Sequence, residues 1–296
     1  MNKVELKKVI IANGEAVAYR ESGKGRNILL LVHGNIVTSK YWEHFMENLP
    51  EDYKAYAIDL RGAGGSSYNT PVEYMRQFSE DIWMFAQKIG ILSFNLVGLS
   101  MGGTICLQFA ADHADMVEKL ILIDSPTCKG YPFPAKDNEG HALLNKYWTI
   151  REQVMCDKVQ LIPCAIALKN KDRIIIRAIL DATVFSFKAP KENYYNELID
   201  ETMTVVNFPD VAWPAQIFNI SHTNNGVKDG TDEVDKITMP TLVLIGDHDK
   251  ILSIDSAYNI ATDIGINAKV SVIKNAAHCS FIDNEEMVID EINNFI

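Results

Sequence analysis

Nine residues constrain this chain more than any others: Asn95-Leu96-Val97-Gly98-Leu99-Ser100-Met101-Gly102-Gly103. The apolar run Phe94 to Val97 predicts a buried strand, and Thr104 to Ala111 predicts a helix. Between them, Gly98-x-Ser100-x-Gly102 demands a turn so tight that a Cβ at either glycine would collide with the adjoining strand or helix. Gly103 lets the helix lie close to the sheet. Ser100 is then expected at the apex, with its Oγ exposed at the positive end of the helix.

The rest of the chain fits around that unit. Val4 to Ile11 and Glu15 to Glu21 read as two strands joined at Asn13-Gly14, an antiparallel hairpin signal. Ile28 to Val32, Ala55 to Ile58, Phe94 to Val97 and Lys119 to Ile123 are short strands, several of them continuously apolar, as in a parallel sheet buried on both faces. Between them, Ser39 to Leu49 (capped by Ser39) and Val72 to Gly90 read as helices, the latter with Met75, Phe78, Ile82, Phe85 and Ile89 on one stripe. Alternating strands and helices predict a doubly wound, mostly parallel sheet of about eight strands, with ligands bound past the strands' carboxyl ends. His33, Asp59, Ser100 and Asp124 all fall there.

After Asp124 the rhythm changes. Pro126, Pro132 and Pro134 make an irregular stretch, and helices are expected over 142–155, 159–169, 173–185 and 191–206. Strands resume at Thr241 to Ile245 and Ala268 to Ile273, with helices over 256–264 and 285–295. The expected organisation is a core in two parts, 1–124 and 236–296, with a mostly helical cap formed by 125–235.

Composition narrows the function. The net charge of −11 disfavours nucleic acid and anionic membrane surfaces as partners. Five cysteines with no C-x-x-C pair suit free thiols in a reducing compartment. With no apolar stretch of signal or membrane-span length, the expected location is cytoplasmic. The glycine-rich loop at 59–66 lacks the G-x-G-x-x-G spacing, so it reads as a turn rather than a phosphate cradle. No His/Cys/Asp cluster has metal-ligand spacing, and no cofactor is expected.

A serine hydroxyl needs a base within hydrogen-bond reach, and the base needs a carboxylate to orient it. The order Ser…Asp…His is the one expected for a serine on such a turn. Ser100, Asp249 and His278 meet it, each in a loop past a strand's carboxyl end.

With these residues in view, the chain resembles the α/β-hydrolase superfamily over nearly all of its length outside the cap. The matching pieces are His33-Gly34, Asp59-x-Arg61-Gly62-x-Gly64-x-Ser66, Gly98-x-Ser100-x-Gly102-Gly103, Gly246-x-x-Asp249 and His278. The resemblance implies Ser100 as nucleophile, His278 as base, Asp249 as its carboxylate, and an oxyanion hole from the backbone N–H groups of Asn35 and Met101. Asp247 and Asp124 are rival carboxylates, the latter at a position some relatives use; the Gly-x-x-Asp spacing favours Asp249. His33 is expected to brace the oxyanion loop and Arg61 the glycine-rich loop, with His248 a surface residue.

The resemblance also narrows the reaction. Relatives that open epoxides or displace halide carry an aspartate where this chain has Ser100. Relatives that cleave carbon–carbon bonds usually follow the histidine with tryptophan, here Cys279. Met101 after the serine is similar to many esterases and monoacylglycerol lipases. The expectation is a carboxylic ester hydrolase acting on a small-molecule ester, of short or medium acyl chain, or a lactone, as a monomer or homodimer. A ligand receptor on the same scaffold, or a thioester or carbon–carbon hydrolase, is the alternative. In the cap, Met155, Ile162, Phe185, Phe187, Trp213, Ile217 and Phe218 are mostly its own core. Phe185, Trp213 and Phe218 are the candidates for an acyl pocket.

Overall fold

The computed structural model describes residues 4–296; the first three residues of the expected core segment lie outside it. The amino-terminal part contains β1 (Glu5–Ile10), β2 (Ala16–Gly23), β3 (Asn27–Val32), α1 (Glu43–Asn48), β4 (Tyr53–Ile58), α2 (Met75–Ile89), β5 (Phe94–Leu99), α3 (Met101–Asp112) and β6 (Val117–Ile123). The carboxyl-terminal part contains β9 (Thr241–Gly246), α9 (Ile254–Ile264), β10 (Ala268–Ile273), α10 (Ser280–Asp283) and α11 (Glu285–Phe295). Between them lie β7 (Pro134–Lys136), β8 (Ala142–Tyr147), α4 (Arg151–Met155), α5 (Leu161–Asn170), α6 (Arg173–Ala182), α7 (Glu192–Thr202) and α8 (Phe208–Ile217).

Eight strands form one sheet in the order β1-β2-β4-β3-β5-β6-β9-β10. β1 and β2 form the antiparallel hairpin, β2 joins β4 antiparallel, and the remaining pairs are parallel. The near-continuous apolar runs have a simple reason. Alternate residues of each central strand feed opposite layers. Leu30, Val32, Leu96 and Leu122 pack beneath Phe78, Ile82 and Phe85 of α2 and Ile105 and Phe109 of α3. Leu29, Leu31, Val97 and Ile121 face the other way, toward Phe45 of α1 and Val288 and Ile292 of α11.

That second layer does not stop at the core. It also takes in Ile176 and Leu180 of α6 and Tyr195, Leu198 and Ile199 of α7. A polar seam runs beside it. Thr38 Oγ1 donates to Glu201 (2.9 Å), Tyr41 Oη and Thr202 Oγ1 are 2.8 Å apart, and Gly64 N–H donates to Thr204 Oγ1 (3.0 Å). Asn207 Nδ2 donates to Arg61 O (2.6 Å).

Two local expectations are corrected, and one helix is added. The helix expected over 142–155 is a strand, β8, followed by the short α4. The Ala142-Leu143-Leu144 run suits either state. What decides is the turn before it, where Asp137 Oδ1 accepts from the N–H groups of Glu139 and His141 and folds the chain back on Pro134–Lys136. The cap of the helical stretch beginning at residue 39 is Thr38, whose Oγ1 accepts from Lys40 N (3.2 Å). Ser39 is occupied elsewhere: its Oγ accepts from Arg20 and its N–H donates to Asp59. Finally, α8 has no counterpart in the sequence reading, because Pro209 and Pro214 hide it.

Candidate active site

The turn after β5 carries the site. Ser100 has φ +50° and ψ −123°, a conformation that L-residues rarely adopt. It is held there from both sides. Its N–H donates to Ile123 O of β6 (2.9 Å), and its carbonyl accepts from Gly103 N (2.7 Å). The glycine at 102 is obligatory: a Cβ there would stand 2.4 Å from Val32 O and 2.5 Å from His33 O. Backbone strain at a reactive position persists only when the surroundings over-determine it, and here two strands and a helix do so.

Two loops from the far end of the sequence meet this serine. His278 Nε2 lies 2.8 Å from Ser100 Oγ, and His278 Nδ1 lies 2.8 Å from Asp249 Oδ2. A carboxylate accepts, so Nδ1 carries the proton and Nε2 is left as the acceptor for the Ser100 hydroxyl. Asp249 is fixed by its other oxygen, which accepts from Ile251 N (2.7 Å) and Leu252 N (3.0 Å). Both side chains are buried. Burial pushes the His278 pKa down, but the hydrogen bond and charge of Asp249, with the charge of Asp124, outweigh it and leave the imidazole above its ordinary value.

Opposite the serine, Gly34 brings the β3 loop in: a Cβ on it would lie 3.0 Å from Ser100 Cβ. His33 braces this loop, with Nδ1 2.7 Å from Gly34 O and Nε2 accepting from Leu60 N (3.0 Å). Burial depresses its pKa, consistent with a neutral ring that uses both nitrogens as struts. Among the described residues, no acceptor pairs with the backbone N–H of Asn35 or of Met101, whereas the Ile36 N–H is taken by Asn35 Oδ1 (3.0 Å). Two N–H groups are thus left unengaged, one on the loop whose Gly34 approaches Ser100 and one on the residue that follows Ser100 at the start of α3.

A strand, a strained serine turn and a helix sit at the centre of a mostly parallel sheet; a histidine from the loop past β10 reaches the serine, and an aspartate from the loop past β9 reaches that histidine. A family model described as the alpha/beta hydrolase fold matches residues 27–158. The chain has the α/β-hydrolase fold. Its relatives differ widely in what they act on. A Xenopus tropicalis protein named epoxide hydrolase 3 is 24% identical over 285 residues, covering 94% of this chain and 74% of that one. A human monoacylglycerol lipase, ABHD6, is 23% identical over 283 residues, covering 90% of this chain and 74% of that one. An enol-lactonase structure from Burkholderia xenovorans superposes with a TM-score of 0.73 at 18% identity, covering 98% of this chain and 99% of that one.

The other sequence candidates fall elsewhere in the fold. Asp247 faces His248 (2.7 Å), the N–H of Ala276 (3.3 Å) and Lys274, not His278. Arg61 makes a two-point ion pair with Asp81 of α2, at 2.5 Å to each oxygen, and so ties the glycine-rich loop to that helix. The loop itself wraps Asp59, whose Oδ2 accepts from Gly65 N (2.9 Å). The three pocket candidates are not brought together. Phe185 stacks on Tyr41 in the cap-to-core layer, and Trp213 packs near Val154 and Leu161. Phe218 lines a groove of about 360 Å³ with Tyr74, Gln108 and Lys228. Each aromatic found a partner in its own layer, which apolarity alone did not distinguish.

Proposed function

We propose that the chain is a serine hydrolase cleaving carboxylic esters, of short or medium acyl chain, or lactones. The observation that carries this reading is the residue on the strained turn: Ser100, with the imidazole of His278 at 2.8 Å from its hydroxyl. In the proposed cycle His278 Nε2 takes the Ser100 proton as Oγ attacks the ester carbonyl. Negative charge develops on the carbonyl oxygen, where the Asn35 and Met101 N–H groups meet it; each such donor supports roughly 3–4 kcal/mol of transition-state stabilisation. The imidazolium, held by Asp249, returns the proton to the leaving alkoxide. Water, deprotonated by the same nitrogen, then hydrolyses the acyl-enzyme. The monoacylglycerol lipase and the enol-lactonase among its relatives support the ester and lactone classes.

A panel of p-nitrophenyl esters, lactones and thioesters of graded chain length tests the proposal. Steady turnover that falls by roughly 10³-fold or more in Ser100→Ala is the expected result. Turnover that survives Ser100→Ala, or a single burst with no turnover in the wild type, overturns it.

A further inference from the structure

Asp124 stands just past β6, beside the serine turn, and none of the roles above uses it. It is fully buried and holds a left-handed backbone conformation (φ +46°), unusual for any residue but glycine. Its carboxylate spans two loops. Oδ1 accepts from the N–H of Gly246 (2.8 Å), at the start of the loop that carries Asp249. Oδ2 accepts from the N–H of Ser280 (3.0 Å), two residues past His278. Its own N–H donates to Leu244 O (2.9 Å), which fixes it to β9. The two loops are also in close contact: a Cβ on Gly246 would stand 2.4 Å from the carbonyl oxygens of Ala276 and Ala277.

We propose that Asp124 is a positioning residue that sets the separation of Asp249 and His278 by clasping the backbones of both their loops. The geometry is specific to a carboxylate, since an amide has one acceptor oxygen and would turn an NH₂ toward the other N–H. The placement is costly. The titratable groups facing Asp124 are Asp249 and His278, with the buried Cys279 thiol beside them. Burial and the charge of Asp249 push its pKa up to about 7, against the His278 charge and the two backbone N–H bonds. A group kept at such expense beside a reactive imidazole is expected to act on that imidazole. Asp124 does not touch the serine, so it acts through the loops and, by its charge, through the pKa of His278.

The rate readout rests on the hydrolase reading above; the spectroscopic one does not. The experiment compares full-length wild type with Asp124→Asn and Ser280→Pro, following ester hydrolysis against pH and the far-downfield proton resonance of His278 Nδ1–H. Ser280→Pro deletes one clasped N–H and leaves the carboxylate in place, at a first helical position that accepts proline. The expected result for Asp124→Asn is a kcat lower by roughly 10- to 100-fold with KM within about twofold, because misplacement rather than lost binding is at stake. The acid limb of kcat/KM moves to lower pH, and the resonance broadens or disappears. Ser280→Pro weakens the resonance and lowers kcat in the same direction. If Asp124→Asn fails to fold, Ser280→Pro carries the test alone. Unchanged resonance, kcat and acid limb in the folded variants overturn the proposal. If the wild type shows no esterase activity, the hydrolase reading fails and the resonance alone decides the role of Asp124.

Discussion

At the scale of single residues, two carboxylates two positions apart separate cleanly by what they touch. Asp249 bonds His278 and Asp247 does not. Asp249→Asn is expected to lower kcat for ester hydrolysis by on the order of 10³- to 10⁴-fold, because the amide cannot support the imidazolium and favours the wrong tautomer. Asp247→Asn should stay within a few-fold of wild type, and the two are compared by steady-state kinetics on one ester. The sign of the pH dependence follows from His278. A general base works in its neutral form, so kcat/KM rises with pH through its pKa and levels off above it. Since Asp249 and Asp124 outweigh burial and raise that pKa, the acid limb should fall above the ordinary imidazole value of 6.5. A limb clearly below that value would show that burial wins. The three residues that the structure joins by hydrogen bonds, Ser100, His278 and Asp249, were legible as candidates in the sequence because each follows a strand and their order matches. Asp124's clasp was not, because its partners are two backbone N–H groups 122 and 156 positions away, and nothing in a residue's identity says where its N–H points.

Among the elements, the β5-turn-α3 unit sets the others. Its tolerance is measurable. Gly102→Ala places a methyl against the backbone carbonyls of Val32 and His33, which belong to β3 and its loop and have no side-chain freedom with which to yield. The expected cost is about 1–3 kcal/mol, seen as a lower urea midpoint at unchanged slope. A midpoint equal to wild type would mean that β3 and α3 are less rigidly apposed than their contact implies. The same unit was also the most readable part of the chain. The cap elements were not. In β8, Ala142-Leu143-Leu144 carries no period that separates strand from helix, and its state is decided by the partner strand Pro134–Lys136. In α8 the prolines that suggest a loop sit at an early position and within a helix supported by packing.

Over the whole molecule, the cap is not an independent body. Its helices α6 and α7 complete one face of the sheet's core, and Glu201, Thr202, Thr204 and Asn207 bond the core's loops. Cap and core should therefore unfold together. A fluorophore on Cys156, the exposed cysteine of the cap, reports one, and the fluorescence of the core's Trp42 and Trp83, in a background where Trp148 and Trp213 of the cap are replaced by Phe, reports the other. Coincident urea curves are expected, and two separated midpoints would reject a shared core. No helix among the described residues is long and apolar enough to cross a membrane. The sequence by itself determined the sheet, the serine turn and the order of the residues around it, because strand burial and glycine spacing are local demands written into residue type. The tertiary structure alone decided which of the acidic side chains faces the imidazole, which cap aromatics pack against the core, and how a buried carboxylate ties two distant loops. Those outcomes depend on distances between segments far apart in the chain, which only the closed sheet fixes.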